Sequence, residues 1–126
     1  MAALDRNPPA ALDRIRTKPR DDIALSTTTM AELAYGVEHS THPARNRIAL
    51  LEFSVPFRIL DFDQHSAFLY GKIRKQLESE GTPIGPIDLL LAAQALSHGL
   101  ILVTNTEKEF RRVRNLQIEN WIRPDS

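Results

Sequence analysis

The segment from Pro86 to Thr104 limits the fold of this chain more than any other. Pro86 to His98 reads as a helix that is apolar nearly all round, Gly99 supplies the left-handed residue that ends it, and Leu100-Ile101-Leu102-Val103-Thr104 is an unbroken strand-forming run. A helix without a polar face has to be buried, and a strand without alternation has to be covered on both sides. Both demands are met by an inner strand of a parallel sheet with helices packed on each face. One polar group interrupts the apolar helix near its start, the carboxylate of Asp88.

The remaining pattern supports an α/β chain. Ile23-Ala24-Leu25-Ser26-Thr27 predicts a short strand, and Thr29-Met30-Ala31-Glu32 matches a capping box that opens a helix running to about His39. Pro43 begins a further helix with Ile48, Leu51 and Val55 on one side, and Phe57 to Phe62 alternates weakly, as a strand would. Asp63-Gln64-His65 starts a long helix carrying Ala67, Phe68, Tyr70, Ile73 and Leu77 and stopping at Gly81. Asn105 or Thr106 caps a short helix containing Phe110, and Leu116 to Trp121 predicts a closing strand. Before these elements, Pro8 to Arg16 has helical spacing at Ala11, Leu12 and Ile15. In such sheets ligands bind beyond the carboxyl ends of the strands, so that rim is where a site is expected.

Bulk properties exclude several classes. With 126 residues, 42% hydrophobic and 25% charged, residues 1–126 are expected to form one globular domain. No apolar run approaches the roughly 20 residues of a spanning helix, and the start has no secretory pattern, so a cytoplasmic location without membrane partners is expected. The chain has no cysteine, which excludes disulfides, thiolate zinc sites and thiol nucleophiles. Zero net charge leaves only local basic clusters, such as Lys72-Ile73-Arg74-Lys75 and Arg111-Arg112-Val113-Arg114, to attract a polyanion. Such clusters are more often solvated helix faces. The aromatic residues fall mostly in core patterns and form no evident stacking platform for bases.

Three acids stand in the opening turn of predicted helices: Glu32, Asp88 and Glu109. Counted from caps at Thr29, Gly85 and Thr106, each is the third helical residue. Helix-dipole stabilisation of about 0.3–1 kcal/mol accounts for any one of them. The alternative is that they converge at the sheet rim around a hard cation, since oxygen-only coordination suits Mg²⁺ or Mn²⁺. Asp88 makes the stronger case, because a charge at the head of a buried helix is costly without a partner.

These residues resemble a known family. Ser26 to Gly36, Pro43-Ala44-Arg45-Asn46, Gly81-Thr82-Pro83-Ile84-Gly85-Pro86-Ile87-Asp88, Leu102 to Phe110 and Ile118-Glu119-Asn120-Trp121 are similar, in order and spacing, to the VapC toxins of the PIN-domain family. The resemblance implies a three-layer α/β/α fold with a mostly parallel sheet. It also implies a toxin–antitoxin ribonuclease that cuts RNA with Mg²⁺ or Mn²⁺, is usually a homodimer and is silenced by a VapB-type antitoxin. Glu32, Asp88 and Glu109 match the family's later acidic positions and are the expected metal ligands. Asn105 stands beside the last of them, and Thr28 and Thr29 are placed to support the site by hydrogen bonds.

One departure affects the expected activity. The family opens with an apolar strand ending in Leu-Asp-Thr-Asn, whose aspartate is a principal ligand, whereas this chain has Leu4-Asp5-Arg6-Asn7 followed at once by Pro8-Pro9. Ala2-Ala3-Leu4 makes a poor inner strand by propensity, and Asp5 stands close to Glu32 in sequence. The sequence therefore predicts that the usual first strand is missing and that metal binding and cleavage are weak, with Asp5 as a displaced ligand the other reading. A chain without that strand is alternatively a catalytically decayed PIN domain that binds its antitoxin or a partner subunit.

Overall fold

The structure is a computed structural model that describes residues 2–4, 22–104 and 106–120. Among the described residues five strands form one sheet: β1 (Ala2–Leu4), β2 (Ile23–Ser26), β3 (Arg58–Leu60), β4 (Ile101–Val103) and β5 (Ile118–Glu119), in the order β3-β2-β1-β4-β5. All pairings are parallel, with Leu4 level with Leu25 on one side and Val103 on the other. Five helices are described: α1 (Thr27–Glu38), α2 (Pro43–Ser54), α3 (Gln64–Ser79), α4 (Pro86–Ser97) and α5 (Glu107–Phe110). The helix expected over Pro8 to Arg16 lies outside the described residues.

The expectation of a missing first strand is corrected. Ala2–Leu4 is the central strand, laddered to both β2 and β4. Strand propensity reflects packing surroundings more than intrinsic backbone preference, and a segment with a ladder on each side needs little of its own. Residues 5–22 separate β1 from β2, which exceeds the dozen or so that a parallel crossover needs.

Alternation along the inner strands produces the three layers. Ala24 and Leu102 face one core with Ile73 and Leu77 of α3, Leu89 and Leu91 of α4, and Phe110. Ile23, Leu25 and Val103 face a second core with Phe57, Met30 of α1 and Phe53 of α2. Both faces of the sheet are thus covered, as the unbroken Leu100 to Thr104 run requires.

Helix ends follow local chemistry. The Asp63 carboxylate caps α3 by accepting from the Ser66 backbone N–H at 2.9 Å. Ser66 holds the Asp63 carboxyl below its ordinary value. Gly81 and Gly99 both have positive φ and close α3 and α4 in the same way: Gly81 N–H bonds Glu78 O and Thr82 N–H bonds Leu77 O, while Gly99 N–H bonds Leu96 O and Leu100 N–H bonds Ala95 O. At α1 the expected cap shifts. Ser26, rather than Thr29, is the N-cap, its Oγ accepting from Thr28 N–H at 3.0 Å, and Thr29 is buried inside the helix. Among the described residues no helix is long and apolar enough to cross a membrane.

Candidate active site

Strand order reverses around β1: β2 and β3 extend the sheet one way, β4 and β5 the other. The crevice beyond the carboxyl ends of the strands at such a switch point is the expected ligand site of an open parallel sheet. Here it is bounded by a cleft of about 570 Å³ lined by Thr27, Thr28, Ala31, Glu32 and Tyr35 of α1 and by Ile87 and Leu90 of α4. Thr27 and Thr28 directly follow the end of β2, so the first turn of α4 meets α1 at the sheet's carboxyl rim.

Asp88 is positioned by Gly85 and Pro86. Gly85 occupies the N-cap in an extended conformation without a side-chain cap bond, Pro86 starts the helix, and Asp88 is the third helical residue, half-buried in the first turn. Glu32 is placed differently from expectation. With the cap at Ser26 it falls in the second turn of α1, where the dipole effect has largely decayed. Capping therefore does not explain this carboxylate. Glu32 is half-buried and forms no ion pair with a described residue.

The segment after β4 is built from bonds that no sequence motif announced. Buried Thr104 receives the Thr106 N–H on its Oγ1 at 2.9 Å and donates its own N–H to Glu119 O of β5 at 3.0 Å. Thr106 caps α5, so Glu109 is its third residue as expected, half-buried and without an ion pair to a described residue. Glu107 is a brace: Asn120 Nδ2 donates to its Oε2 at 3.0 Å, and Arg111 pairs with its Oε1 at 2.9 Å. Downstream, Arg112 donates to Pro83 O at 2.8 Å and Arg114 pairs with Glu80. These two arginines join the segment after Glu109 to the loop that leads to Asp88.

The arginines of the two described basic clusters are thus paired within the chain, since Arg74 also bonds Glu78 and Tyr70. Two histidines have structural partners as well, His65 with Ser97 at 2.6 Å and His98 with Asp63 at 3.3 Å.

Glu32 lines the cleft together with Ile87 and Leu90 of α4, whereas neither Asp88 nor Glu109 is among the residues lining it. Among the described residues no group of three or more His, Asp or Glu side chains could hold a metal ion. Asp5 and Asn105 lie outside the described residues. Asp5 is nonetheless the residue that follows Leu4, the last residue of the central strand.

The fold and this rim define a class. The sequence matches the PIN domain model over residues 1–116, and the chain belongs to the PIN-domain family. Its relatives place it with the VapC ribonucleases. The tRNA(fMet)-specific endonuclease VapC of Shigella flexneri is 38% identical over 116 residues, covering 92% of this chain and 88% of that protein. Ribonuclease VapC2 of Haemophilus influenzae is 42% identical over 100 residues, covering 79% and 76%. Among solved structures, a chain of the DNA-bound VapBC complex of Salmonella typhimurium superposes with a TM-score of 0.87 at 35% identity, covering 95% of this chain and 97% of that one.

Proposed function

We propose that this chain is the toxin of a type II toxin–antitoxin pair and hydrolyses RNA phosphodiesters with Mg²⁺ or Mn²⁺. The observation that carries the reading furthest is the central placement of β1. Because β1 ends at Leu4, the next residue is Asp5, the aspartate that an absent first strand would have removed. The missing strand was the ground for expecting weak activity and for the binding-only alternative, and β1 removes that ground.

The donor chemistry of the chain fits a hard cation. There is no thiolate, and the candidate donors are carboxylates. Asp5, Glu32, Asp88 and Glu109 are the proposed ligands, with Asn105 orienting the substrate; Glu32, Asp88 and Glu109 do not already form a metal-holding group, so binding the ion would have to draw them together. Glu32 and Glu109 are half-buried without ion pairs to described residues, which leaves their carboxylates open to a cation. When bound, the metal would activate water for attack on the phosphodiester and offset the charge that develops on its oxygens. The protein's part is positional: the Gly85-Pro86 entry fixes Asp88, and the Thr104, Asn120 and Arg112 bonds hold the segment that carries Glu109.

A VapB-type antitoxin is the proposed partner, and a homodimer the proposed assembly. The apolar groove between α1 and α2, lined by Met30, Ala34, Val37, Leu50 and Leu51, suits the face of a partner helix.

The test is cleavage of bulk RNA with and without Mn²⁺, alongside calorimetric titration of Mn²⁺. Asp88→Asn should retain the fold by circular dichroism, lower cleavage by about a hundredfold or more and weaken Mn²⁺ binding. Unchanged cleavage by this variant would remove Asp88 from the site and refute the proposed mechanism.

A further inference from the structure

The sequence placed the aromatic residues mostly in the core, yet Tyr35 is 64% exposed and belongs to neither core cluster. It lies one turn beyond Glu32 on α1, and both line the same cleft. Its ring packs edge-to-face with His39, centroids 4.5 Å apart and planes at 79°. His39 is itself fixed as the C-cap of α1, with its backbone N–H on Tyr35 O. Ile87, also exposed, and Leu90 contribute apolar lining from α4 on either side of Asp88 in sequence.

A lone exposed tyrosine ordinarily needs no explanation. This one is braced by a second ring, shares its cleft with apolar residues from another helix, and stands one turn from a proposed metal ligand. A flat π-surface beside an apolar lining suits a planar, unpaired ring better than it suits a phosphate. In single-stranded RNA every base offers such a face.

We propose that Tyr35, steadied by His39, is a stacking subsite for an unpaired nucleobase next to the phosphate cut at the Asp88 turn. The subsite rests on the ribonuclease reading and extends it by naming what holds the substrate: single-stranded RNA, gripped through a base in addition to its backbone. Stacking tolerates any base, so Tyr35 supplies affinity and register along the strand, and sequence choice lies elsewhere.

The experiment measures steady-state cleavage of a short fluorescein-labelled single-stranded RNA in Mn²⁺ by the unaltered chain and by Tyr35→Phe, Tyr35→Leu and Tyr35→Ala. Folding is checked by circular dichroism. Tyr35→Phe should match the unaltered chain, while Tyr35→Ala and Tyr35→Leu should raise KM about tenfold or more, with kcat changed less than about twofold. Leucine is the deciding variant, since it keeps the apolar bulk and removes the π-face. A Tyr35→Leu enzyme with unaltered KM overturns the proposal, as does an unaffected Tyr35→Ala enzyme that still cleaves with Mn²⁺. Unaltered RNA kinetics in Tyr35→Ala, together with loss of a VapB-type partner, would assign the ring to protein recognition and overturn it equally. If the unaltered chain shows no Mn²⁺-dependent cleavage, the ribonuclease reading fails first and the subsite fails with it.

Discussion

Helices α2 and α4 are each twelve residues long, begin with proline at the same position and carry many apolar side chains, yet the fold uses them in opposite ways. α4 buries six of its residues, Leu89, Leu91, Ala92, Ala93, Gln94 and Ala95, whereas α2 buries none. On α2 and just past its end, Leu51 is 63% and Val55 79% exposed. An apolar helix face therefore states only that something covers it in the working protein. For α4 the cover is this chain's own sheet and α3; for α2 it is the proposed partner.

That contrast can be broken by substitution, and the largest effect belongs to α4. Leu91→Ala should cost about 2–5 kcal/mol of stability, because neighbouring side chains fill such a cavity only partly. Urea unfolding gives the value, and a loss under about 1 kcal/mol would show that α4 is not the core helix. Gln94 comes next. Its Nε2 donates to Leu60 O at 3.0 Å and Asp61 O at 2.9 Å, tying α4 to the end of β3. Gln94→Leu keeps the bulk but leaves those carbonyls without this donor, with an expected cost of about 1–3 kcal/mol on the same unfolding curve.

The smallest effect is expected on α2. Leu51→Ala should change monomer stability by no more than about 0.5 kcal/mol while weakening antitoxin binding in a calorimetric titration. A large loss of stability in Leu51→Ala would erase the distinction between the two helices.

The same pair of helices shows what could be read in advance. The burial of α4, its stop at Gly99 and the third-residue position of Asp88 were all legible, because each follows from local composition or from a conformation that glycine favours. Three-residue β1 was not legible: Ala2-Ala3-Leu4 contains no β-branched residue, and its strand state comes from the ladders on either side. Thr29 offered a capping box, but Ser26 comes earlier and caps first, which moved Glu32 out of the opening turn and removed its simplest structural explanation. Periodicity marked Ile48, Leu51, Val55 and Phe68 as faces without showing that they stay uncovered by the rest of the chain. The ties made by Gln94, Thr104, Asn120 and Arg112 join residues far apart in sequence or depend on one hydroxyl's direction, and neither has a local signature.

The margins of the sheet bear on how this molecule meets others. Its outermost strands are β3, with three residues, and β5, with two. So short a border offers an incoming strand few main-chain groups to zip onto, which discourages both tangling in crowded solution and recruitment by strand addition. Recognition is left to side chains standing on helices, where pairing depends on matched shape and is therefore selective between closely related toxins and antitoxins.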